Sequence, residues 1–307
     1  MTERMIDVPG GRIWTNVVGD GPGAPLVVLH GGPGMPSDYL SCLNDVADDR
    51  PVIFYDQLGC GRSDRPAASE GYFVQEHFIA EIDSLRETLG LDSFHLLGHS
   101  WGGLLAALYA LEQPENVQSI TFASPLIAVS RWVDDCNRLK AKLPSELQDT
   151  IDRHEASGNT TCPEYAAANF EWWRRHVCRV VPFPEDLERA LSGMGTECYE
   201  TMWGPSEFNC TGNLLGMDVS SELGEIPCPT LFTCGRYDEA TPETLEHLAK
   251  NAQYSEFHVF EHSAHLAPVE EPGAFLACVR DFLRRTDRAS EVKDAIRPAE
   301  KYPSIRN

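Results

Sequence analysis

Basic residues are scarce in this sequence of 307 residues, which has 25 lysines and arginines against 47 aspartates and glutamates and a formal net charge of −22 at pH 7. A charge of this sign repels nucleic-acid phosphates and anionic membrane surfaces, so we expect neither nucleic acid nor a membrane as a partner. A small molecule that is cationic, or that carries a free amine, is the kind of ligand that such a chain attracts.

Long apolar runs and paired cysteine motifs are also missing. The longest apolar stretches are much shorter than the roughly 18 residues that a membrane span needs, and the first residues contain no apolar segment typical of a signal peptide. The ten cysteines are scattered, with no C-x-x-C pair and no metal-finger spacing. We therefore expect a cytoplasmic protein with reduced thiols, and the sequence leaves its oligomeric state open.

Short apolar runs predict an α/β fold. A hairpin over residues 4–18 comes first, and stretches of helical period, notably 74–89 and 101–111, separate the runs that follow. These runs are residues 25–30, 51–55, 94–98, 117–123 and 229–234, and residues 255–261 form a further predicted strand. Continuous apolar strands that alternate with helices predict a mostly parallel sheet with helices on both faces.

The strand pattern stops after Ser124 and resumes at Pro229. The segment between them is helical in period and rich in aromatic residues up to about Gly216, which predicts a helical cap inserted into the sheet domain. We therefore divide the chain into a core over 1–124 and 217–286, a cap over 125–216 and a charged C-terminal tail over 287–307.

The strongest chemical signal is Ser100, in the sequence GHSWGG at residues 98–103. An apolar strand leads directly into this G-x-S-x-G motif and a helical stretch follows it, which is the context of the strained turn that presents a nucleophilic serine. The N-terminus of the following helix supplies an N–H donor and a dipole that favour developing negative charge. The motif therefore predicts a nucleophile, whereas a tight turn without function is the alternative.

A serine nucleophile needs a base and a group that orients the base. Asp238 lies in a loop just after the run at 229–234, and His265 follows the predicted strand at 255–261. The order serine, acid, histidine is the order that this strand–serine–helix arrangement uses. We prefer His265 to His262 as the base, because His262 would lie almost on the strand end.

A glycine-rich turn, HGGPG at residues 30–34, follows the first central strand. It can present the N–H of Gly32 to the serine, and the N–H of Trp101 would complete an oxyanion hole. A phosphate-binding loop is the competing interpretation, but G-x-G-x-x-G is absent and Pro33 removes a donor.

Together these segments resemble the proline iminopeptidases of the α/β-hydrolase fold. The resemblance extends from about residue 4 to 285 and includes DQLGCGRS at 56–63, the loop at 235–242 and WGPSEF at 203–208. It implies an α/β-hydrolase core with an inserted cap, and it implies that Glu207 and Glu239 hold the free α-amine of the substrate. Leu58 and residues 176–184 are closer to the amino-acid amidase, or proline amide hydrolase, branch.

The sequence thus predicts a serine hydrolase that cleaves an amide or peptide bond next to a free N-terminal residue, proline or another small one. The substrate would be a short peptide or an amino-acid amide, with Trp101, Trp203 and Phe208 as apolar walls for its ring. Neither a metal nor a cofactor is needed. The alternatives are a tailoring hydrolase or esterase that acts on a small natural product, and a non-catalytic binding module on the same fold.

Overall fold

The computed structural model describes residues 1–112 and 115–296, with side chains as far as Asp287. In these residues eight strands form one sheet, in the order β1-β2-β4-β3-β5-β6-β7-β8. They are β1 (Thr2–Val8), β2 (Gly11–Val18), β3 (Leu26–Leu29), β4 (Val52–Tyr55), β5 (Phe94–His99), β6 (Val117–Ala123), β7 (Thr230–Gly235) and β8 (Ser255–Phe260). Only β2 and its two neighbours pair antiparallel; the pairings from β4 to β8 are parallel.

Helices cover both faces of this sheet and connect its strands. They are α1 (Gln75–Leu89), α2 (Trp101–Glu112), α3 (Val129–Lys140), α4 (Ser145–Ser157), α5 (Pro163–His176), α6 (Glu185–Ser192), α7 (Thr196–Met202), α8 (Pro242–Ala249), α9 (Ala267–Glu270) and α10 (Pro272–Ile296). Short 3₁₀ segments occupy Ser37–Asp48, Ala68–Glu70 and Leu223–Glu225. Within the described ranges, no helix is both long enough and apolar enough to span a bilayer.

Strands β3 and β4 are apolar throughout because both of their faces are covered. All four residues of β3 are buried, and their side chains alternate between two apolar layers. Val27 packs in the layer that contains Phe78 of α1, whereas Val28 packs in the layer that contains Phe275 of α10. The predicted α/β fold with a mostly parallel sheet is therefore confirmed.

Five helices, α3 to α7, lie between β6 and β7, where the sequence predicts a cap. Residues 125–216 are all described, and they contain no strand, only isolated bridges such as Ser206 with Asn209. The chain is helical up to Ile296 at its C-terminal end, so the first half of the predicted tail is helix. The rest of the predicted tail, residues 297–307, lies outside the described residues.

Candidate active site

Ser100 lies at the junction of β5 and α2, where the chain turns sharply from strand to helix. Its φ is +55°, in the left-handed region that a residue with a side chain rarely adopts. The turn is tight enough to require a glycine at position 98, because a Cβ there would lie 2.1 Å from the carbonyl oxygen of Gly102. The geometry is that of a strained turn that presents a serine hydroxyl above the sheet edge.

Asp238 and His265 meet in the loops that follow β7 and β8. The Nδ1 of His265 lies 2.8 Å from Asp238 Oδ1, which also accepts the N–H of Ala240 at 2.9 Å. The other carboxylate oxygen accepts the hydroxyl of Ser124 at 2.7 Å and the N–H of Gly235 at 3.1 Å. These donors hold the carboxylate in place, and the carboxylate in turn fixes the imidazole tautomer with its hydrogen on Nδ1.

Ser100 and His265 line one cavity, together with Glu239. Among the described residues no hydrogen bond joins the Ser100 hydroxyl to the imidazole, and the nearest carboxylate oxygen to Nε2 of His265 belongs to Glu239, at 3.8 Å. Hydrogen bonds between a nucleophile and its base are often long before substrate binds and tighten in the complex. The three side chains that the sequence singles out as a triad are thus gathered at one sheet edge.

The glycine-rich turn after β3 packs directly against Ser100. A Cβ on Gly31 would lie 2.9 Å from the Cβ of Ser100, and the next residue, Gly32, has a φ of +109° and lines the same cavity. In the described part of the chain, the N–H groups of Gly32 and Trp101 have no hydrogen-bond acceptor. Two free N–H donors beside the serine are what an oxyanion hole requires.

Glu207 and Glu239 lie in the same cavity as the serine. Glu207 accepts a hydrogen bond from the hydroxyl of Tyr199 at 2.9 Å, and burial raises the pKa of this carboxyl. Burial raises the pKa of Glu239 well above its ordinary value, and the nearby charges of Glu207 and Asp238 raise it further. A cation placed between the two carboxyls would favour their charged forms, so the pair is suited to an ammonium group.

The aromatic residues predicted as walls lie elsewhere. The indole of Trp101 is buried and donates to Gln57 Oε1 at 2.9 Å, so only its backbone N–H is available to the site. Trp203 donates to the carbonyl of Ser206 at 2.7 Å, and Phe208 packs edge-on against Trp172 with ring centroids 5.5 Å apart. Neither Trp203 nor Phe208 lines the cavity, and their role in binding stays a prediction.

Other side chains that the sequence analysis missed form the wall instead. The cavity measures about 40 Å³, and its lining includes Met35, Trp173, Val177, Met194 and Tyr199. These residues come from the segment before Ser37 and from several parts of the cap. No motif marks them, because packing of the cap helices decides which of many apolar side chains faces the serine. Within the residues that the structure describes, no cluster of three or more potential ligands could hold a metal ion.

Comparison with known proteins places this geometry in a family. The α/β hydrolase fold family matches residues 24–272. The proline iminopeptidase of Heyndrickxia coagulans is 47% identical over 284 residues, which are 92% of this chain and 98% of that protein. The chain belongs to the proline iminopeptidase family of α/β hydrolases.

Two solved structures superimpose closely on this chain, and one of them is a proline iminopeptidase. The proline iminopeptidase of Mycobacterium smegmatis superimposes with a TM-score of 0.87 at 36% identity, over 94% of this chain and 100% of that one. The protein VinJ superimposes with a TM-score of 0.89 at 34% identity, over 93% of this chain and 99% of that one. Membership in this family confirms the predicted resemblance and the prediction of a hydrolytic enzyme.

Proposed function

We propose that this chain is a serine hydrolase that releases an N-terminal proline, or another small N-terminal residue, from a short peptide or an amino-acid amide. The observation that carries the proposal is one cavity that holds Ser100, His265 and the two carboxyls of Glu207 and Glu239. The names of its relatives support proline as the residue released. The free thiols of all ten cysteines, every one among the described residues, support a cytoplasmic location.

In the proposed mechanism Ser100 attacks the carbonyl carbon of the scissile bond while Nε2 of His265 takes the hydroxyl proton. Asp238 holds the opposite edge of the imidazole and stabilises the charge that the ring gains. The N–H groups of Gly32 and Trp101 donate to the oxyanion of the tetrahedral intermediate. His265 then protonates the leaving amine, or ammonia, and water hydrolyses the acyl-enzyme in the reverse sequence.

The amine anchor explains why hydrolysis would occur one residue from the amino end. Glu207 and Glu239 lie in the same small cavity as Ser100, so a substrate whose ammonium group binds them has little room between that group and the reacting carbonyl. Charge-assisted hydrogen bonds from an ammonium to carboxylates are strong where water is excluded. An acylated amine has no charge and would leave both carboxyls without a cation.

The test compares prolyl-arylamide with its N-acetylated counterpart, with the Ser100→Ala variant as the blank. We expect acetylation to lower kcat/KM by about 100-fold, because a buried carboxyl left without its cation costs several kcal/mol. Glu207→Gln should lower kcat/KM for the free amine by about 10-fold or more. The matched control is Glu200→Gln, an exposed residue on α7, which should change little.

Equal turnover of the free and acetylated forms would contradict the amine anchor and would favour the tailoring hydrolase or esterase. The leaving group separates the two members of the proposed class, since Pro-Gly is the better substrate of a peptidase and prolinamide of an amidase. Leu58, one of the features closer to the amidase branch, is buried in the core and does not line the cavity. Val177, which belongs to the other amidase-like feature at residues 176–184, does line the cavity.

A further inference from the structure

A continuous chain of hydrogen bonds links the glycine-rich turn to the loop of His265. The N–H of Gly31 donates to the hydroxyl of Tyr39 at 2.8 Å. That hydroxyl lies 2.9 Å from Nδ1 of His99, and Nε2 of His99 lies 3.0 Å from the backbone oxygen of His265. Tyr39 and His99 are both buried, and His99 immediately precedes the serine.

The direction of each hydrogen bond follows from the groups at the two ends. The carbonyl of His265 can only accept, so Nε2 of His99 carries a hydrogen and donates it. Burial and the neighbouring His265 ring lower the pKa of His99 well below its ordinary value, so the ring is neutral and Nδ1 is an acceptor. Tyr39 therefore donates to Nδ1 and accepts from Gly31. Every donor in the chain has an acceptor.

We propose that Tyr39 and His99 are positioning residues that hold the oxyanion-hole turn and His265 at a fixed separation during hydrolysis. The proposal rests on the roles given above to Ser100, Gly32 and His265. Neither side chain takes part in a step of the mechanism. They act on the turn through the residue next to Gly32, and on the base through its own backbone oxygen.

A second group, the hydroxyl of Ser124, also binds the backbone oxygen of His265. The effect of Tyr39 on the glycine-rich turn can therefore be separated from any effect on the position of His265. The hydroxyl of Ser124 lies 3.2 Å from the oxygen of His265 and 2.7 Å from Oδ2 of Asp238. The loop of His265 is also held by the N–H of His265, which donates to the carbonyl of His176 in the cap at 3.2 Å. Removing the Tyr39 hydroxyl would therefore break the hydrogen bond that holds the N–H of Gly31 in the glycine-rich turn, while the contact between His265 and Asp238 persists.

The experiment compares Tyr39→Phe with Tyr55→Phe in the full chain. Tyr55 is also fully buried, but its hydroxyl has no partner among the described residues, so its loss breaks no hydrogen bond. We expect Tyr39→Phe to lower kcat for prolyl-arylamide by about 10-fold or more while KM changes by less than about 3-fold, because small displacements of catalytic groups cost this much in rate. Tyr55→Phe should stay within about 2-fold of the parent in both constants.

A second readout is the rate at which a neutral fluorophosphonate labels Ser100, which needs the base and the oxyanion hole but no amine. This rate should fall in Tyr39→Phe by the same factor as kcat. If the parent labels normally but does not hydrolyse prolyl-arylamide, the proposed function fails, whereas the labelling rates of the two variants still test the positioning role. Equal labelling and equal kcat in Tyr39→Phe and Tyr55→Phe would overturn it.

A third variant, His99→Asn, tests whether the two side chains act as one unit. The double variant with Tyr39→Phe should lose about as much kcat as the more affected single variant, since a chain broken once gains nothing from a second break. Losses that multiply would overturn the proposal of a single chain. Thermal unfolding of each variant identifies any that fail to fold, and labelling of Tyr39→Phe, which keeps the ring in place, remains the deciding measurement.

Discussion

A second serine, histidine and aspartate lie in hydrogen-bonding order at the other end of the same strands. Ser119 Oγ lies 2.7 Å from Nδ1 of His95, and Nε2 of His95 lies 3.0 Å from Asp287 Oδ1. Arg50 binds the same carboxylate, with Nη2 2.6 Å from Oδ2. Burial raises the pKa of Asp287, but the hydrogen bonds and charges of His95 and Arg50 outweigh burial and lower this pKa to about 2. Ser119 is fully buried, so this set is a structural network that ties α10 to the sheet.

The structural network of Ser119 and the proposed triad of Ser100 should respond differently to loss of their serine. Ser119→Ala should leave kcat/KM within about 2-fold of the parent, whereas Ser100→Ala should abolish turnover. Ser119→Ala should also lower the free energy of unfolding by about 1–3 kcal/mol, because Nδ1 of His95 loses its partner. Steady-state kinetics and urea unfolding of the variant measure the two effects. A large loss of activity in a Ser119→Ala variant that remains folded would contradict the purely structural role of Ser119, and full activity in Ser100→Ala would contradict the assignment of Ser100 as the nucleophile.

Residue order could predict the members of the proposed triad, but not the residues around it. Ser100 and Asp238 follow apolar runs and His265 follows a predicted strand, and the topology of a parallel sheet brings such loops together. Tyr39 and His99 carry no comparable signal, because a tyrosine in a 3₁₀ segment acquires its partners only through tertiary packing. The same is true of the aromatic residues of the cap.

At the scale of elements, α1 carries a carboxyl in the core. Burial raises the pKa of Glu81 to about 8, although Oε1 accepts the hydroxyl of Tyr72 at 2.9 Å and the N–H of Leu58 at 3.1 Å. Its Oε2 and the hydroxyl of Tyr55 have no partner among the described residues. Glu81 therefore holds the loop that contains Leu58 most stably while it is protonated.

This carboxyl makes stability fall with rising pH. The pKa of Glu81 is about 8 in the folded protein against 4.5 as the ordinary value, so between these values the folded state binds a proton that the unfolded state has released. The stabilisation that protonated Glu81 contributes is present below about pH 4.5 and is lost as the pH rises through about 8.

Glu81→Gln should remove this dependence, since glutamine cannot ionise. The free energy of unfolding of the parent should fall between pH 5 and pH 9, and that of the variant should not. The difference between them should therefore shift in favour of the variant by at least about 1–2 kcal/mol over this range, because each pKa unit corresponds to about 1.4 kcal/mol. Denaturant unfolding at the two pH values measures the difference. The matched control is Glu87→Gln, an exposed residue of the same helix. Parallel pH profiles for the parent and Glu81→Gln would contradict a raised pKa.

Elements with continuous apolar patterns could be predicted from the sequence, whereas others depend on their neighbours. The runs at 25–30 and 51–55 are strands because both of their faces are buried, and this leaves an unbroken apolar sequence. The 3₁₀ segment Ser37–Asp48 buries Tyr39, Leu40, Leu43 and Val46, which recur at helical spacing, so this segment could also have been predicted from the sequence. The helix from Pro272 extends beyond the predicted core boundary. Its residue Asp287 is bound by Arg50, a tertiary contact that no local pattern predicts.

At the scale of the whole molecule, the net charge of −22 should act on how the substrate arrives. A field of this sign raises the local concentration of a cationic substrate, and salt screens the field over a distance of about 10 Å at 0.1 M. We expect kcat/KM for prolyl-arylamide, whose amine is charged, to fall several-fold between about 20 mM and about 500 mM NaCl.

The control for this effect is the neutral fluorophosphonate, whose rate of labelling should not change with salt because it carries no charge. The Glu207→Gln variant separates the field of the molecule from the local anchor. If the whole surface attracts the substrate, the salt dependence persists in this variant at a lower absolute rate, because one charge of the acidic excess is a small part of the field. If the salt dependence instead disappears in Glu207→Gln, the attraction comes from the carboxyls of the cavity. The acidic residues elsewhere would then serve only to keep the surface solvated.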